Sequence, residues 1–132
     1  MSRTITDTNF EFPNQLNLYK GKVREVYNIN DSQLVMVATD RLSAFDVVMP
    51  KGIPYKGQIL NQIATKMMEA TADIVPNWLI ATPDPNVTVG HLCEPFTVEM
   101  VIRGYMSGHA ARESSLGKRQ LCGGEMPDKI KE

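Results

Sequence analysis

The chain has 132 residues, of which 42% are hydrophobic and 22% charged, and its formal net charge is −1. These values are typical of one globular domain with a single core. So small a net charge argues against a nucleic-acid partner bound by bulk attraction, and no apolar run reaches the roughly 18 residues that a membrane-spanning helix requires. We therefore expect neither a nucleic acid nor a membrane as a partner.

The first residues and the cysteines indicate the compartment. Residues 1–15 resemble a loose arm in which Phe10 and Phe12 could act as anchors, and their polar, acidic start differs from a secretory signal. Cys93 and Cys122 lie far apart, match no spacing of a metal site and do not predict a disulfide framework. We therefore expect a protein of the reducing cytoplasm.

The stretch LYKGKVREVY, residues 18–27, concentrates basic charge within a predicted strand over residues 18–29. In one continuous strand Lys20, Lys22 and Arg24 would share a face, because successive side chains alternate. Three cations on one face could bind a polyphosphate, and a glycine between them would let the backbone approach it closely. The alternative is a solvated edge strand whose lysines prevent aggregation.

A β-hairpin is predicted next. Asn30-Asp31-Ser32 has the composition of a turn, and the apolar run over residues 34–38 predicts a buried strand. The hairpin would therefore pair the basic strand with a buried one.

Polar side chains follow this second strand in ATDRLSAFD, residues 38–46. Ligands often bind where a strand ends, so Ser43 could donate to a phosphate or carboxylate and Asp46 could bind an amine or a hydroxyl group. The alternative is a turn in which Asp40 caps the backbone and pairs with Arg41.

The clearest helix is predicted over residues 58–72, before Pro76, which is incompatible with a continuing helix. Apolar side chains recur there at helical spacing, and such a stripe is typical of a face that packs into the core. The stripe consists of Ile59, Leu60, Ile63, Ala64, Met67 and Met68.

Further strands are predicted at residues 78–82 and 87–93, around a turn at Pro83-Asp84-Pro85-Asn86. Residues 97–103 alternate between apolar and other side chains, which predicts another strand, ending at Gly104. Because strands dominate the first half and are joined by one helix, we assign the α+β class.

A possible anion cradle lies in VIRGYMSGHAARE, residues 101–113. Arg103 would leave a strand just before the small residues Ser107 and Gly108, so that a guanidinium and free backbone N–H groups converge. His109 could add a donor, although for catalysis we favour an ordinary surface histidine at a helix start. His91 is interpreted as structural.

These segments, in this order, resemble the phosphoribosylaminoimidazole-succinocarboxamide synthase (SAICAR synthetase) family. The matching pieces are YKGKVREVY, ATDRLSAFDVVMPKGIPYKGQILNQIA, VEMVIRGYMSGHAARE and the tail GGEMPDKIKE. The resemblance covers residues 16–132. Residues 112–132 alone fit either a disordered tail or the beginning of a further segment. Because family members are longer, the resemblance implies that this chain is an N-terminal portion.

The resemblance implies an antiparallel β-sheet with a packed helix, related to the ATP-binding lobe of protein kinases. It implies a cytoplasmic ATP-dependent ligase of purine biosynthesis that uses Mg²⁺ and joins L-aspartate to carboxyaminoimidazole ribonucleotide, giving SAICAR, ADP and phosphate. Residues 1–15 would be an arm, residues 16–111 the ATP- and nucleotide-binding lobe, and residues 112–132 a loop or the start of the second half. Alternatives are a small-molecule kinase or a non-catalytic ATP-binding module with the same sheet.

Site residues follow from the resemblance position by position. The ATP-covering strand and loop correspond to Lys20, Gly21, Lys22, Val23, Arg24 and Val26. Lys22 and Arg24 would contact phosphates, Val26 would pack on adenine, and the segment from Leu92 to Phe96 would lie near the adenine edge.

The nucleotide-substrate site corresponds to Ser43, Asp46, Arg103, Ser107, Gly108 and His109. Many family members have a serine where this chain has His109, so either His109 supplies the donor for the substrate phosphate, or Ser107 and backbone N–H groups do. No catalytic residue and no metal ligand is assigned in this chain, since the metal ligands and the aspartate site are expected beyond residue 132. We expect the chain alone to be inactive and to self-associate weakly through apolar surface.

Overall fold

The computed structural model describes residues 4–45, 47–98, 100, 102, 104–121 and 123–126. The chain consists of two compact units, Met1–Glu94 and Pro95–Glu132. In the described residues, none of the helices is both long and apolar enough to cross a bilayer.

An antiparallel sheet dominates the first unit. In the described part of the chain five strands form this sheet, in the order β1-β2-β3-β7-β6. Its strands are β1 (Asn17–Lys20), β2 (Arg24–Asn28), β3 (Gln33–Ala38), β6 (Leu79–Asp84) and β7 (Val87–His91). A separate small hairpin pairs β4 (Ser43–Ala44) with β5 (Val47–Val48), and helix α1 spans Lys56–Ala70. The predicted α+β class, with an antiparallel sheet and one packed helix, is confirmed.

The second unit contains helix α2 (Gly108–Ser115) and a hairpin of β8 (Gln120–Leu121) and β9 (Gly124–Glu125). The strand predicted over residues 97–103 is not found at the positions that the structure describes, 97, 98, 100 and 102. Alternation supplies only a suitable surface, whereas a stable strand also needs neighbours for its backbone groups. No strand of the described sheet pairs with this segment.

The single strand predicted over residues 18–29 is wrong, because the chain reverses in its middle. Lys20 at the end of β1 lies opposite Glu25 in β2, and the N–H of Gly21 donates to the carbonyl oxygen of Arg24 at 2.8 Å. A Cβ at Gly21 would lie 3.2 Å from that oxygen, closer than most side chains tolerate. A glycine therefore suits the tight turn, and Lys20, Lys22 and Arg24 do not share the face of one strand.

The predicted hairpin between the basic strand and the buried strand over residues 34–38 is confirmed, with β2 and β3 as its two strands. Its turn is closed by the Oδ1 atom of Asn30, which accepts hydrogen bonds from the N–H groups of Ser32 and Gln33 at 2.8 and 2.9 Å. The predicted hairpin of β6 and β7 is also confirmed, with irregular register in β6. Local turn chemistry was sufficient in both cases.

The hydrophobic core lies on one face of the sheet, beneath the N-terminal arm. Tyr27, Val35 and Val37 are its buried centre, and the ring of Phe12 packs edge-on against Tyr27 with centroids 5.2 Å apart. The hydroxyl group of Tyr27 also accepts a hydrogen bond from the N–H of Phe10 at 3.3 Å. Phe10 and Phe12 contact the sheet as predicted, and residues 4–15 pack against it instead of forming a loose arm.

Helix α1 lies close to its predicted position but buries a different face. Its buried residues are Gly57, Asn61 and Thr65, whereas Ile63 and Met67 of the predicted core stripe are 51% and 63% exposed. The prediction that this stripe packs into the core is therefore wrong for the structure described.

Close approach to the sheet explains which face is buried. A Cβ at Gly57 would lie 2.0 Å from the carbonyl oxygen of Ala38, so only glycine fits there. One turn later, the Oδ1 atom of Asn61 accepts a hydrogen bond from the hydroxyl of Thr88 at 2.7 Å, and its amide donates to the carbonyl of Pro85 at 3.2 Å. Small size and hydrogen bonding, rather than apolarity, define the contact.

Substitution of Gly57 by alanine tests this contact. Alanine raises helix propensity by about 1 kcal/mol, but a Cβ placed 2.0 Å from a backbone oxygen should cost about 2–3 kcal/mol, toward the upper end of the usual range for overpacking. We expect Gly57→Ala to lower the free energy of unfolding of the first unit by about 1–2 kcal/mol. Urea unfolding followed by the fluorescence of Trp78, the single tryptophan, measures it.

The matched control is Gly104→Ala, because a Cβ there meets nothing within 4 Å. Its effect should stay within about 0.5 kcal/mol. A Gly57→Ala variant as stable as the parent would show that helix and sheet do not approach as closely as the structure indicates.

Candidate functional site

The candidate site begins at the basic turn, which we define as residues 21–24, from the end of β1 to the first residue of β2. The guanidinium of Arg41 donates from Nη2 to the carbonyl of Gly21 at 2.9 Å and from Nε to that of Lys22 at 3.1 Å, with a longer contact of 3.4 Å to that of Arg24. The carbonyl of Val23 accepts from the N–H of Thr39 at 3.1 Å and from its hydroxyl at 2.8 Å. The turn is therefore held in one conformation by the segment that follows β3.

A buried ion pair anchors Arg41. Its Nη1 atom lies 2.8 Å from Oε1 of Glu25, whose side chain is 0% exposed, while that of Arg41 is 14% exposed. The other carboxylate oxygen accepts hydrogen bonds from the N–H of Thr8, at 3.0 Å, and from its hydroxyl. A buried carboxylate is tolerable only when it is paired and hydrogen-bonded in this way.

Asp40 connects the same segment to α1 and to the arm. Its Oδ1 atom accepts from the N–H of Gly57 at 3.0 Å and its Oδ2 atom from the N–H of Ile5 at 2.9 Å. A carboxylate at a helix N-terminus is favourable, since it meets the positive end of the helix dipole. The alternative of a local turn capped by Asp40 and paired with Arg41 is wrong, because Asp40 accepts from N–H groups distant in sequence and Arg41 pairs with Glu25.

A cavity of about 240 Å³ opens on the face of the sheet that α1 covers. Val23 and Arg24 of the basic turn contribute to its wall, together with Lys56 at the start of α1. The remaining lining residues are Met36, Ala38, Thr39, Leu60, Asn61, Ala64, Met68, Trp78 and Thr88. The cavity therefore combines an apolar wall with cationic side chains.

Val26 lies on the same side of the sheet as this wall. It is directly opposite Met36, which in turn is opposite Thr88, and residues opposite each other in an antiparallel pair share a face. The position of Val26 therefore agrees with the packing role that the resemblance implies.

Two of the predicted phosphate ligands, Lys22 and Arg24, lie in the basic turn with exposed side chains. Lys20, at the end of β1, forms an ion pair with Asp7 of the arm, with Nζ and Oδ1 2.5 Å apart. The hydrogen bond from Lys20 holds the pKa of Asp7 below its ordinary value, and the same bond raises the pKa of Lys20. Lys20 therefore has a partner within the protein.

The predicted substrate residues fall in both units. Ser43 is half-buried in β4, at the base of a small hairpin with a fully exposed Phe45 at its tip. Asp46 and Arg103 lie outside the described residues.

In the second unit, Ser107, Gly108 and His109 form the N-terminus of α2, where Gly108 has a φ of +64°. His109 is exposed in the first turn of the helix, so its position agrees with a surface histidine at a helix start.

No group of three or more His, Cys, Asp or Glu side chains suited to a metal ion occurs among the residues that the structure describes. Cys93 is an exposed free thiol, and Cys122 lies outside the described residues.

The sequence analysis missed Glu25 and the role of Arg41. Glu25 was assigned no role from the sequence, yet it is among the most deeply buried side chains of the described chain. A signal was present, because Glu25 alternates with Arg24 and Val26 and so shares its face with Tyr27. A carboxylate on the core face requires a cation, and Arg41 is the one it has.

The family model described as SAICAR synthetase matches residues 17–132. This chain belongs to the SAICAR synthetase family. Phosphoribosylaminoimidazole-succinocarboxamide synthase of Flavobacterium psychrophilum is 81% identical over 129 residues, which cover 98% of this chain but 41% of that protein. The enzyme of that name from Bacteroides fragilis is 62% identical over 130 residues, with 98% and 41% covered.

Solved structures of SAICAR synthetases are also similar to this chain. SAICAR-synthase from Saccharomyces cerevisiae, complexed with SAICAR, superimposes with a TM-score of 0.78 at 28% identity, covering 95% of this chain and 49% of that one. A type-2 SAICAR synthetase in complex with ADP shares the fold, with a TM-score of 0.60 at 23% identity over 85% of this chain and 47% of that one. This chain thus spans less than half the length of the relatives it matches.

The ion pair of Asp7 with Lys20 predicts a pH effect on stability. Because the folded pKa of Asp7 is lowered, the pair stabilises the protein above the unfolded pKa of Asp7, and that contribution is lost as the pH falls through the folded value. Between about pH 5 and about pH 2, the urea midpoint of Asp7→Asn should therefore fall less steeply than that of the parent.

The control is Asp31→Asn, which removes an exposed carboxyl group in the turn between β2 and β3. Parallel pH profiles for the parent and Asp7→Asn would show that the ion pair does not persist in solution.

Proposed function

We propose that this chain is the ATP-binding portion of a SAICAR synthetase of the cytoplasm. The whole enzyme joins L-aspartate to carboxyaminoimidazole ribonucleotide and converts ATP to ADP and phosphate. The observation that carries the proposal is the family match over residues 17–132, which includes the basic turn and the wall of the cavity beside it.

The residues around the cavity suit a nucleotide. An adenine ring is flat and largely apolar, so it is compatible with the wall formed by side chains such as Met36, Leu60 and Trp78. Phosphates require cations. Arg24 lines the cavity, and Lys22 belongs to the same turn and is exposed. The type-2 relative whose fold this chain shares is itself in complex with ADP. In this assignment Lys20, Gly21, Lys22, Val23, Arg24 and Val26 are the ATP-binding residues.

Magnesium belongs to the same proposal. Mg²⁺ is commonly held by substrate phosphates, one or two carboxylates and water. As the resemblance implies, we assign its protein ligands to the enzyme beyond residue 132; within the described residues no group of three or more His, Cys, Asp or Glu side chains could hold it. The ion would neutralise charge on the transferred phosphoryl group, while the basic turn holds the remaining phosphates in place.

The nucleotide substrate would be bound by Ser43 and Asp46 and by Arg103, Ser107, Gly108 and His109. The structure leaves both candidate donors of the last segment accessible. Within the described residues the hydroxyl of Ser107 makes no capping hydrogen bond to α2, and His109 is exposed. Arg103 is assigned to the phosphate or carboxylate of the substrate, since its planar fork matches either group.

Nucleotide binding can be measured directly. We expect ATP to bind the 132-residue chain in isothermal titration calorimetry and Lys22→Ala to weaken binding by about tenfold or more, because a charge-assisted hydrogen bond contributes about 1.5–3 kcal/mol. Lys118→Ala is the control, since it removes an exposed lysine paired with Glu113 in the second unit. Equal affinities for the parent and Lys22→Ala would remove Lys22 from the site.

The reaction is tested with a chimera. Residues 1–132 are joined to the part of the Flavobacterium psychrophilum relative that they do not cover, which 81% identity in the shared part makes compatible. We expect the chimera to release phosphate and form SAICAR only when ATP, aspartate and the carboxylated ribonucleotide are all present, and the chain alone to form none.

The alternatives give different results in the same assay. A small-molecule kinase would form ADP and a stable phosphorylated product without aspartate. A non-catalytic module would bind ATP without turnover even in the chimera. SAICAR formation by the 132-residue chain alone would contradict the expectation that this portion is inactive.

A further inference from the structure

We propose that Arg41 is the positioning residue of the basic turn, holding it in the conformation that receives the phosphates of ATP without itself binding them. The inference rests on the proposed function, since the turn has phosphates to receive only if the chain binds ATP. Its basis is that the side chain of Arg41 donates hydrogen bonds to several carbonyl groups of the turn.

The carbonyl groups from Gly21 to Arg24 are all engaged by the segment after β3. Arg41 donates to those of Gly21, Lys22 and Arg24, and Thr39 donates to that of Val23. A guanidinium has five N–H donors in a rigid, planar arrangement, so it can bind several carbonyl groups at once. The turn is thereby fixed from a single point.

The direction of the carbonyl groups of the turn affects whether the turn can bind a phosphate. A carbonyl oxygen carries partial negative charge and repels a phosphate oxygen, so a phosphate-binding turn must direct its carbonyl groups elsewhere. Arg41 attracts them, and the same turn carries the exposed cationic residues Lys22 and Arg24. A turn already in this conformation binds more tightly, because less ordering is needed on binding.

Arg41 itself is not placed as a phosphate ligand. Its side chain is 14% exposed, and its charge is balanced by the fully buried carboxylate of Glu25 at 2.8 Å. Its Nη1 atom also donates to the carbonyl of Thr6 at 2.6 Å. Arg41 therefore acts on the nucleotide only through the turn, and the N-terminal arm contributes to the same network.

Substitution of Arg41 by lysine separates its positive charge from its ability to bind several carbonyl groups. A lysine retains the positive charge that Glu25 requires, but its single ammonium group has three donors and no planar fork. It could not reach the carbonyl groups of Gly21 and Lys22 while it pairs with Glu25. Arg41→Lys should therefore keep the fold and release the turn.

The experiment uses the 132-residue chain with ATP as the probe. If the released turn occupies the binding conformation about one tenth of the time, the measured dissociation constant rises about tenfold in Arg41→Lys. The matched control is Arg119→Lys, because Arg119 donates to the carbonyl groups of Ser114 and Lys118 in the second unit, and this variant should bind ATP as the parent does.

A second measurement does not depend on ATP. Amide hydrogen exchange of residues 21–24, followed by NMR without nucleotide, should be several-fold faster in Arg41→Lys than in the parent. Exchange in β3 should stay unchanged, which distinguishes release of the turn from general destabilisation. Arg119→Lys should leave exchange in the turn as it is.

The outcomes separate this inference from the proposed function. Parent-like ATP affinity in Arg41→Lys would overturn the inference while leaving the proposed function intact. If the parent chain fails to bind ATP, the proposed function is wrong. Unchanged amide exchange of residues 21–24 in Arg41→Lys would overturn the turn-holding role of Arg41, whether or not the parent chain binds ATP.

A second variant is used if Arg41→Lys does not fold. If the fluorescence of Trp78 shows that Arg41→Lys is unfolded, the double variant Glu25→Gln with Arg41→Gln removes both buried charges together and leaves neither unpaired. Faster exchange in the turn and weaker ATP binding in this variant support the inference. Parent-like values for both measurements overturn it.

Discussion

The buried ion pair of Arg41 with Glu25 is the interaction on which the rest of the first unit depends. A carboxylate with no exposed surface requires a cation and further donors, and these come from the segment after β3 and from Thr8 of the arm. The pair therefore fixes three parts of the chain that are distant in sequence. Because the donors of Arg41 that do not serve Glu25 bind the basic turn and Thr6, the constraint extends to the candidate phosphate site.

The contact of α1 with the sheet follows a different rule from the one its sequence pattern indicates. An amphipathic helix usually buries its apolar stripe, but here Gly57 and Asn61 meet the sheet, because the backbones approach too closely for larger side chains. The stripe that includes Ile59, Ile63 and Met67 stays exposed in the structure described. Relatives of this chain are more than twice as long, and contiguous exposed apolar faces commonly mark contact surfaces in soluble proteins.

Sequence reasoning succeeded where the determinants are local. The turn at Asn30, the buried strand after it and the approximate limits of α1 follow from turn chemistry and periodicity. It failed for residues 18–29, because Gly21-Lys22-Val23 lacks most of the residues that mark a turn. It also missed the pairing of Glu25 with Arg41, since the partners lie 16 residues apart. No pattern within either segment specifies that contact.

The resemblance assigns the basic turn to an ATP-covering loop, which stays a prediction, and the structure shows which neighbouring residues hold that turn. Three consecutive residues divide the task. Thr39 holds the carbonyl of Val23, Arg41 holds the rest of the turn, and Asp40 between them caps α1 and binds Ile5. The middle side chain thus reaches the helix while its two neighbours reach the turn. The order of this segment thus couples the position of α1, which lines one side of the cavity, to the conformation of the turn that borders it.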